Sequence, residues 1–170
     1  MDRLWAPWRM AYIMSTVKEQ DEGCIFCRML AENDDARNLI LCRGAHAFVV
    51  MNLFPYNTGH LMVVTLRHTG DFSSLSAEEH LDLAKLMARS QDALRESLSP
   101  HGYNLGMNLG RVSGAGILDH LHYHVVPRWN GDGNFMSVVA DTKVISESLQ
   151  ETYRRLKAAF DTLIKRPHSA

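Results

Sequence analysis

The chain has no run of apolar residues near the roughly 20 needed to cross a membrane. It has no excess of either charge. Its 18 Lys and Arg stand against 19 Asp and Glu, a formal net charge of −1. That excludes a broad basic surface for duplex nucleic acid, while leaving room for a small basic pocket around one phosphate ligand. Only three cysteines occur in 170 residues, too few for a disulfide framework. No repeat and no low-complexity segment is found. The N-terminal stretch MDRLWAPWRMAYI lacks a signal-peptide core. A cytoplasmic protein is therefore expected, with neither a membrane nor a nucleic-acid polymer as partner. What is present is 46% hydrophobic residues, enough for one globular domain with its own core.

The order of elements suggests an α+β fold. Residues 1–20 read as an N-terminal arm anchored by Trp5 and Trp8, and 24–32 as a short helix or turn. Short β-like runs follow at 38–43, 46–51 and 60–66, the last two separated by an Asn-, Pro- and Gly-bearing turn, NLFPYNTG. Ser76-Ala77-Glu78-Glu79 is a capping-box pattern. It opens a long helix to about residue 98, with Leu83, Met87, Leu94 and Leu98 at helical spacing. A strand at 103–109, a Gly-rich loop at 110–116 and a histidine-rich strand come next. Over 146–165, Leu149, Tyr153, Leu156, Phe160 and Leu163 mark a C-terminal helix whose stripe serves core or dimer packing. Hairpin-like strands with segregated helices predict an antiparallel sheet of about five strands.

The stretch HLHYHVVPRW concentrates the chemistry. On a strand, His120, His122 and His124 share one face, roughly 6.5–7 Å apart, while Leu121, Tyr123 and Val125 take the core face. Pro127 is expected to stop the strand. Two chemistries suit such imidazoles: metal binding, or nucleophilic attack on phosphorus through a covalent phospho-histidine. The preceding Gly110-Arg111-Val112-Ser113-Gly114-Ala115-Gly116 can bring backbone N–H groups close to an anion. Beside a nucleophilic histidine, that loop favours phosphate chemistry.

His120-Leu121-His122-Tyr123-His124-Val125-Val126 resembles the histidine-triad (HIT) motif, in which histidines alternate with apolar residues. Asn52 and His60, in NLFPYNTGHLMVV, resemble a second segment of the same family. The resemblance spans about residues 24–136. It implies a HIT-type fold, a homodimer, and a role for each matching residue. His122 would be the nucleophile that takes a nucleoside monophosphate. His124 and His60 would hold phosphate oxygens and assist the leaving group. Asn52 would contact the ribose, Asn108 the phosphates, and Gly114, Ala115 and Gly116 would supply backbone donors. For the base, Phe48, Val50 and Phe54 are candidates for an apolar slot. LWAPWR, CIFC and VVPRWNGDGNFM are similar to the bacterial diadenosine tetraphosphate phosphorylase branch, which has a tryptophan near the site at the position of Trp129.

By itself Cys24-Ile25-Phe26-Cys27 is a zinc half-site, a redox pair, or two cysteines in a turn; the βαβ context of a redox motif is missing. The resemblance, shared with hexose-1-phosphate uridylyltransferases, implies structural zinc at Cys24, Cys27, His68 and His120, and no organic cofactor. His46, His80, His101 and His168 read as ordinary surface or loop residues. Cys42, in a strand-like run, reads as a small core residue.

The expected activity is cleavage of dinucleoside polyphosphates through a nucleotidyl-His122 intermediate, with phosphate or water as second nucleophile. Four residues before the first triad histidine, hydrolases of the family carry Gln and the phosphorylase branch Ser; Gly116 stands here. It keeps a backbone donor and removes an orienting side chain, so phosphorolysis and hydrolysis both stay open. The alternatives are a phosphoramidase-type HIT hydrolase, a metallohydrolase using the triad as catalytic ligands, and a zinc-stapled nucleotide-binding module without turnover.

Overall fold

The computed structural model describes residues 23–133 and 147–165. The expected N-terminal arm and His168 lie outside the described residues. The elements in chain order are α1 (Ile25–Glu32), β1 (Ile40–Arg43), β2 (Ala47–Met51), β3 (Leu61–Thr65), α2 (Ala77–Leu98), β4 (Gly102–Gly106), β5 (His122–Arg128) and α3 (Leu149–Lys165). The five strands form one sheet in the order β1-β2-β3-β5-β4, every neighbouring pair antiparallel. Among the described residues, no helix is long and apolar enough to cross a membrane.

Strand alternation sorts the side chains into two cores. One face carries Ala47, Val49, Met51, Leu61, Val63, Leu121 and Val125 against Leu83, Leu86, Ala93 and Leu94 of α2 and Leu156 and Phe160 of α3. Burying each leucine or phenylalanine there contributes on the order of 2 kcal/mol. The C-terminal stripe is therefore core. Cys42 belongs to this core too, and burial pushes its thiol up to about 12. On the other face, Phe26 and Met29 of α1 cover Ile40, Phe48, Val50, Met62 and Val64. The register continues that face onto β5, with Val64 opposite His122 and Met62 opposite His124. The histidines thus extend the smaller core.

α2 begins with the expected capping box: the Ser76 hydroxyl accepts from Glu79 N–H and the Glu79 carboxylate accepts from Ser76 N–H. Glu79 also receives Arg67, Nε to Oε1 at 2.8 Å and Nη2 to Oε2 at 2.9 Å, tying the β3–α2 connection to the helix start. These hydrogen bonds and the guanidinium charge bring the Glu79 carboxyl down to about 2.

Several expected boundaries shift. The strand at 103–109 ends at Gly106, and β1 begins only at Ile40, after Leu39 at φ 56°. The histidine strand starts at His122, so His120 precedes it. At its other end, Pro127 does not stop the strand. It pairs with Tyr103 of β4. Its carbonyl accepts from Asn57 Nδ2 at 3.1 Å, on the side where β3 has already ended. Amide and carbonyl of one strand residue point to the same side, so β4 loses no ladder bond to proline.

Candidate functional site

Backbone partners determine the histidine tautomers, because a carbonyl only accepts and an N–H only donates. His122 Nδ1 lies 2.9 Å from the carbonyl oxygen of His120, so Nδ1 carries the proton and Nε2 the lone pair. Burial pushes the His122 pKa below its ordinary value, the bond to the His120 carbonyl opposing it. Burial thus favours the neutral ring, with its Nε2 lone pair open. His60 is set the opposite way. Tyr56 N–H donates to His60 Nδ1 at 3.0 Å. His60 Nε2 then carries the proton and donates to His124 Nδ1 at 2.9 Å, which makes His124 Nε2 a donor. His122 and His124 rings lie edge to face, centroids 5.1 Å apart. One lone pair and one N–H donor therefore stand side by side.

His120 serves a different centre. Cys24, Cys27, His68 and His120 bring their ligand atoms within 4.8 Å of one another. His120 Nδ1 lies 3.2 Å from Cys24 Sγ, 3.7 Å from Cys27 Sγ and 3.3 Å from His68 Nδ1, and Cys27 Sγ lies 3.4 Å from His68 Nδ1. Tetrahedral zinc with ordinary bond lengths sets N···N near about 3.3 Å and N···S near about 3.6 Å. The donor set fits that metal. The tautomer fits too. His120 Nε2 donates to the Thr65 carbonyl at 2.7 Å, leaving Nδ1 for the ion, the usual arrangement behind a ligating histidine. Burial first, then the neighbouring His68 and His122, lowers the His120 pKa, against the Thr65 carbonyl. Burial and the neighbouring Cys24 raise the Cys27 thiol; a bound dication reverses that and deprotonates the thiol outright. Among the described residues, no second cluster of this kind includes His122 or His124. His120 thus joins the group that could hold a metal while His122 and His124 stand outside it, which counts against the triad as a set of catalytic ligands.

The other expected residues divide. Asn52 directly follows β2, its N–H on the His60 carbonyl at 3.0 Å and its Oδ1 accepting from Phe54 N–H at 2.9 Å. In the β4–β5 connection, Arg111–Ser113 form a 3-10 turn closed by Gly114 at φ 87°, a left-handed conformation suited to glycine. Asn108, Ala115 and Gly116 are half-buried in that connection. Trp129 donates its indole N–H to the Leu98 carbonyl at the end of α2, 3.3 Å. Phe48 and Val50, expected in a base slot, are 0% exposed under α1 and present no surface; Phe54 is exposed. The surface histidines hold local roles. His101 Nδ1 accepts from Asn130 N–H at 3.0 Å, and His80 meets Phe72 edge to face.

Three supporting groups carry no signal of their own in the sequence. Phe26, between the two cysteines, lies 5.3 Å from the His120 ring and 5.4 Å from His122, bridging the two histidines. Asn57, 6% exposed, donates to the Pro127 carbonyl and to Asp132 Oδ2, while its carbonyl accepts from His60 N–H. Asp132 in turn receives Arg128, Nε to Oδ2 at 2.6 Å. These bonds hold the His60 loop to the end of β5.

Comparison with known proteins follows the same lines. A family model described as HIT domain matches residues 33–131. The chain is 39% identical over 164 residues to AP-4-A phosphorylase of Mycobacterium tuberculosis, covering 92% of this chain and 83% of that protein. A zinc-bound histidine triad family protein from Mycobacterium smegmatis superposes with TM-score 0.69 at 28% identity, over 84% of this chain and 96% of the other. A uridylyltransferase mutant superposes with TM-score 0.68 at 18% identity, over 92% of this chain and 54% of that one, a likeness of fold alone.

Proposed function

The chain belongs to the HIT family, and from that premise we propose that it is a nucleotidyl-transferring enzyme that cleaves dinucleoside polyphosphates of the diadenosine tetraphosphate type. The observation that carries this reading is the pair of opposed tautomers, a lone pair on His122 Nε2 beside the donor His124 Nε2. The relative named AP-4-A phosphorylase supports the substrate class.

His122 Nε2 attacks the α-phosphorus, and the P–O bond to the rest of the polyphosphate breaks. His124, backed by His60, donates to the phosphate oxygens and to the departing oxygen. Gly114, Ala115, Gly116 and Asn108 supply further fixed donors to the charge on phosphorus, which stabilise it better than mobile water, and Asn52 takes the ribose. Inorganic phosphate or water then attacks the nucleotidyl-His122. The P–N bond breaks and Nε2 regains its lone pair. In this reading Trp129 supports the site through the end of α2.

Cys24, Cys27, His68 and His120 would hold zinc in a structural role, since four protein donors would leave no position for substrate. Two metal-bound thiolates suit the reducing cytoplasm. The chain acts as a single HIT domain in a homodimer, for which β4, an outer strand of the sheet among the described residues, offers an edge.

The test is product analysis of diadenosine tetraphosphate with and without inorganic phosphate. ADP plus ATP only with phosphate means phosphorolysis. AMP plus ATP regardless of phosphate means water is the second nucleophile. No products would sink the dinucleotide reading and turn the search to a nucleoside phosphoramidate or to binding without turnover.

A further inference from the structure

Three large apolar side chains lie exposed in one short segment beside the histidines: Leu53 at 43%, Phe54 at 57% and Tyr56 at 43%. The segment is not a loose loop. Phe54 N–H donates to Asn52 Oδ1, Tyr56 N–H donates to His60 Nδ1, and His60 N–H donates to the Asn57 carbonyl. The Tyr56 ring lies 4.7 Å from the His60 ring and 5.8 Å from His124, tilted by 32° and 33°. It packs on that pair while remaining nearly half exposed. Aromatic surface held rigid and wet beside a reactive centre has a ready partner in a planar, apolar ring.

Resting on the nucleotidyl-transfer reading, we propose that Phe54 and Tyr56 form the stacking shelf for the base of the departing nucleotide. The direction of transfer places it. The retained nucleotidyl group goes to His122 Nε2, and the remainder leaves past His124 and His60, the groups that take its charge. Tyr56 is the ring that packs on those two histidines. Phe26, the ring against His122, is 1% exposed and offers no surface. Stacking accepts any base with a π-face, so the shelf favours a second nucleoside without selecting which one.

Steady-state kinetics on diadenosine tetraphosphate and adenosine 5′-tetraphosphate test this, because the two share a phosphate chain and differ by the second nucleoside. The wild-type protein should favour the two-base substrate through a lower KM. Phe54→Ala, at an exposed position, should erase about tenfold of that preference, through KM for the two-base substrate, and Phe54→Trp should restore it. A preference unchanged in Phe54→Ala, an equal loss on both substrates, or no wild-type preference overturns the shelf. If the wild-type protein turns over neither substrate, the nucleotidyl-transfer reading itself fails and the shelf falls with it.

Discussion

At His122 the outcome rests on one proton. With Nδ1 bound to the His120 carbonyl, Nε2 is the ring nitrogen whose lone pair is open for the proposed attack. His122→Ala should therefore lower turnover by at least about 10³-fold while leaving the fold and nucleotide binding in place. Turnover assays and a binding titration check both halves; wild-type turnover in the variant would end the covalent mechanism. The spacing His120, His122, His124 made this residue legible, because alternation on a strand is a local property. The partners were not. Tyr56 and Thr65 act on His60 and His120 through backbone atoms, which every residue possesses and no sequence pattern marks.

Elements determine how firmly these residues are held. Asn57 links the turn before β3 to the end of β5, and removing its amide leaves the Pro127 carbonyl and Asp132 short of a partner. Asn57→Ala should cost about 1–3 kcal/mol, read from chemical denaturation, and should impair turnover more than binding because His60 is held from the same loop. At the start of α2, Arg67 holds Glu79 in its ionised form. The depressed carboxyl means that this stabilisation is complete above the ordinary value of 4.5 and is lost as pH falls toward about 2. Glu79→Gln keeps the capping box but loses the charge. The variant should be less stable than wild type at pH 7, and the gap should close between pH 4.5 and 2. A gap independent of pH would assign the loss to packing.

On the scale of the whole molecule, the proposed zinc site brings together three distant segments: the start of α1, the connection after β3, and the approach to β5. Such closed sites can add apparent binding energies on the order of 10 kcal/mol to folding. Chelation should lower the thermal midpoint first, with activity lost as the fold is lost, and zinc should restore both. Activity that vanished while the midpoint stayed would make the metal catalytic. In solution the chain should run as a dimer by light scattering, and Leu105→Arg on β4, where Leu105 is 47% exposed, should shift it toward monomer. A monomeric wild type would remove β4 as an interface.

Sequence alone determined what depends on short-range geometry: the alternating histidines, the capping box of α2, the stripe of α3, and the C-x-x-C pair. It could also carry a family pattern, and with it His68 as a fourth ligand. Tertiary structure decided whatever depends on which strand ends where. Pro127 stays within β5 because β3 has already ended beside it. Phe48 and Val50 are closed off because α1 folds over them, and Trp129 turns to α2. The grouping of His120 with Cys24, Cys27 and His68, apart from the neighbouring His122 and His124, was likewise decided by the fold. The His120 ring meets the cysteines because α1 and the connection after β3 bring Cys24, Cys27 and His68 to that end of the histidine row, while its carbonyl accepts from His122 Nδ1.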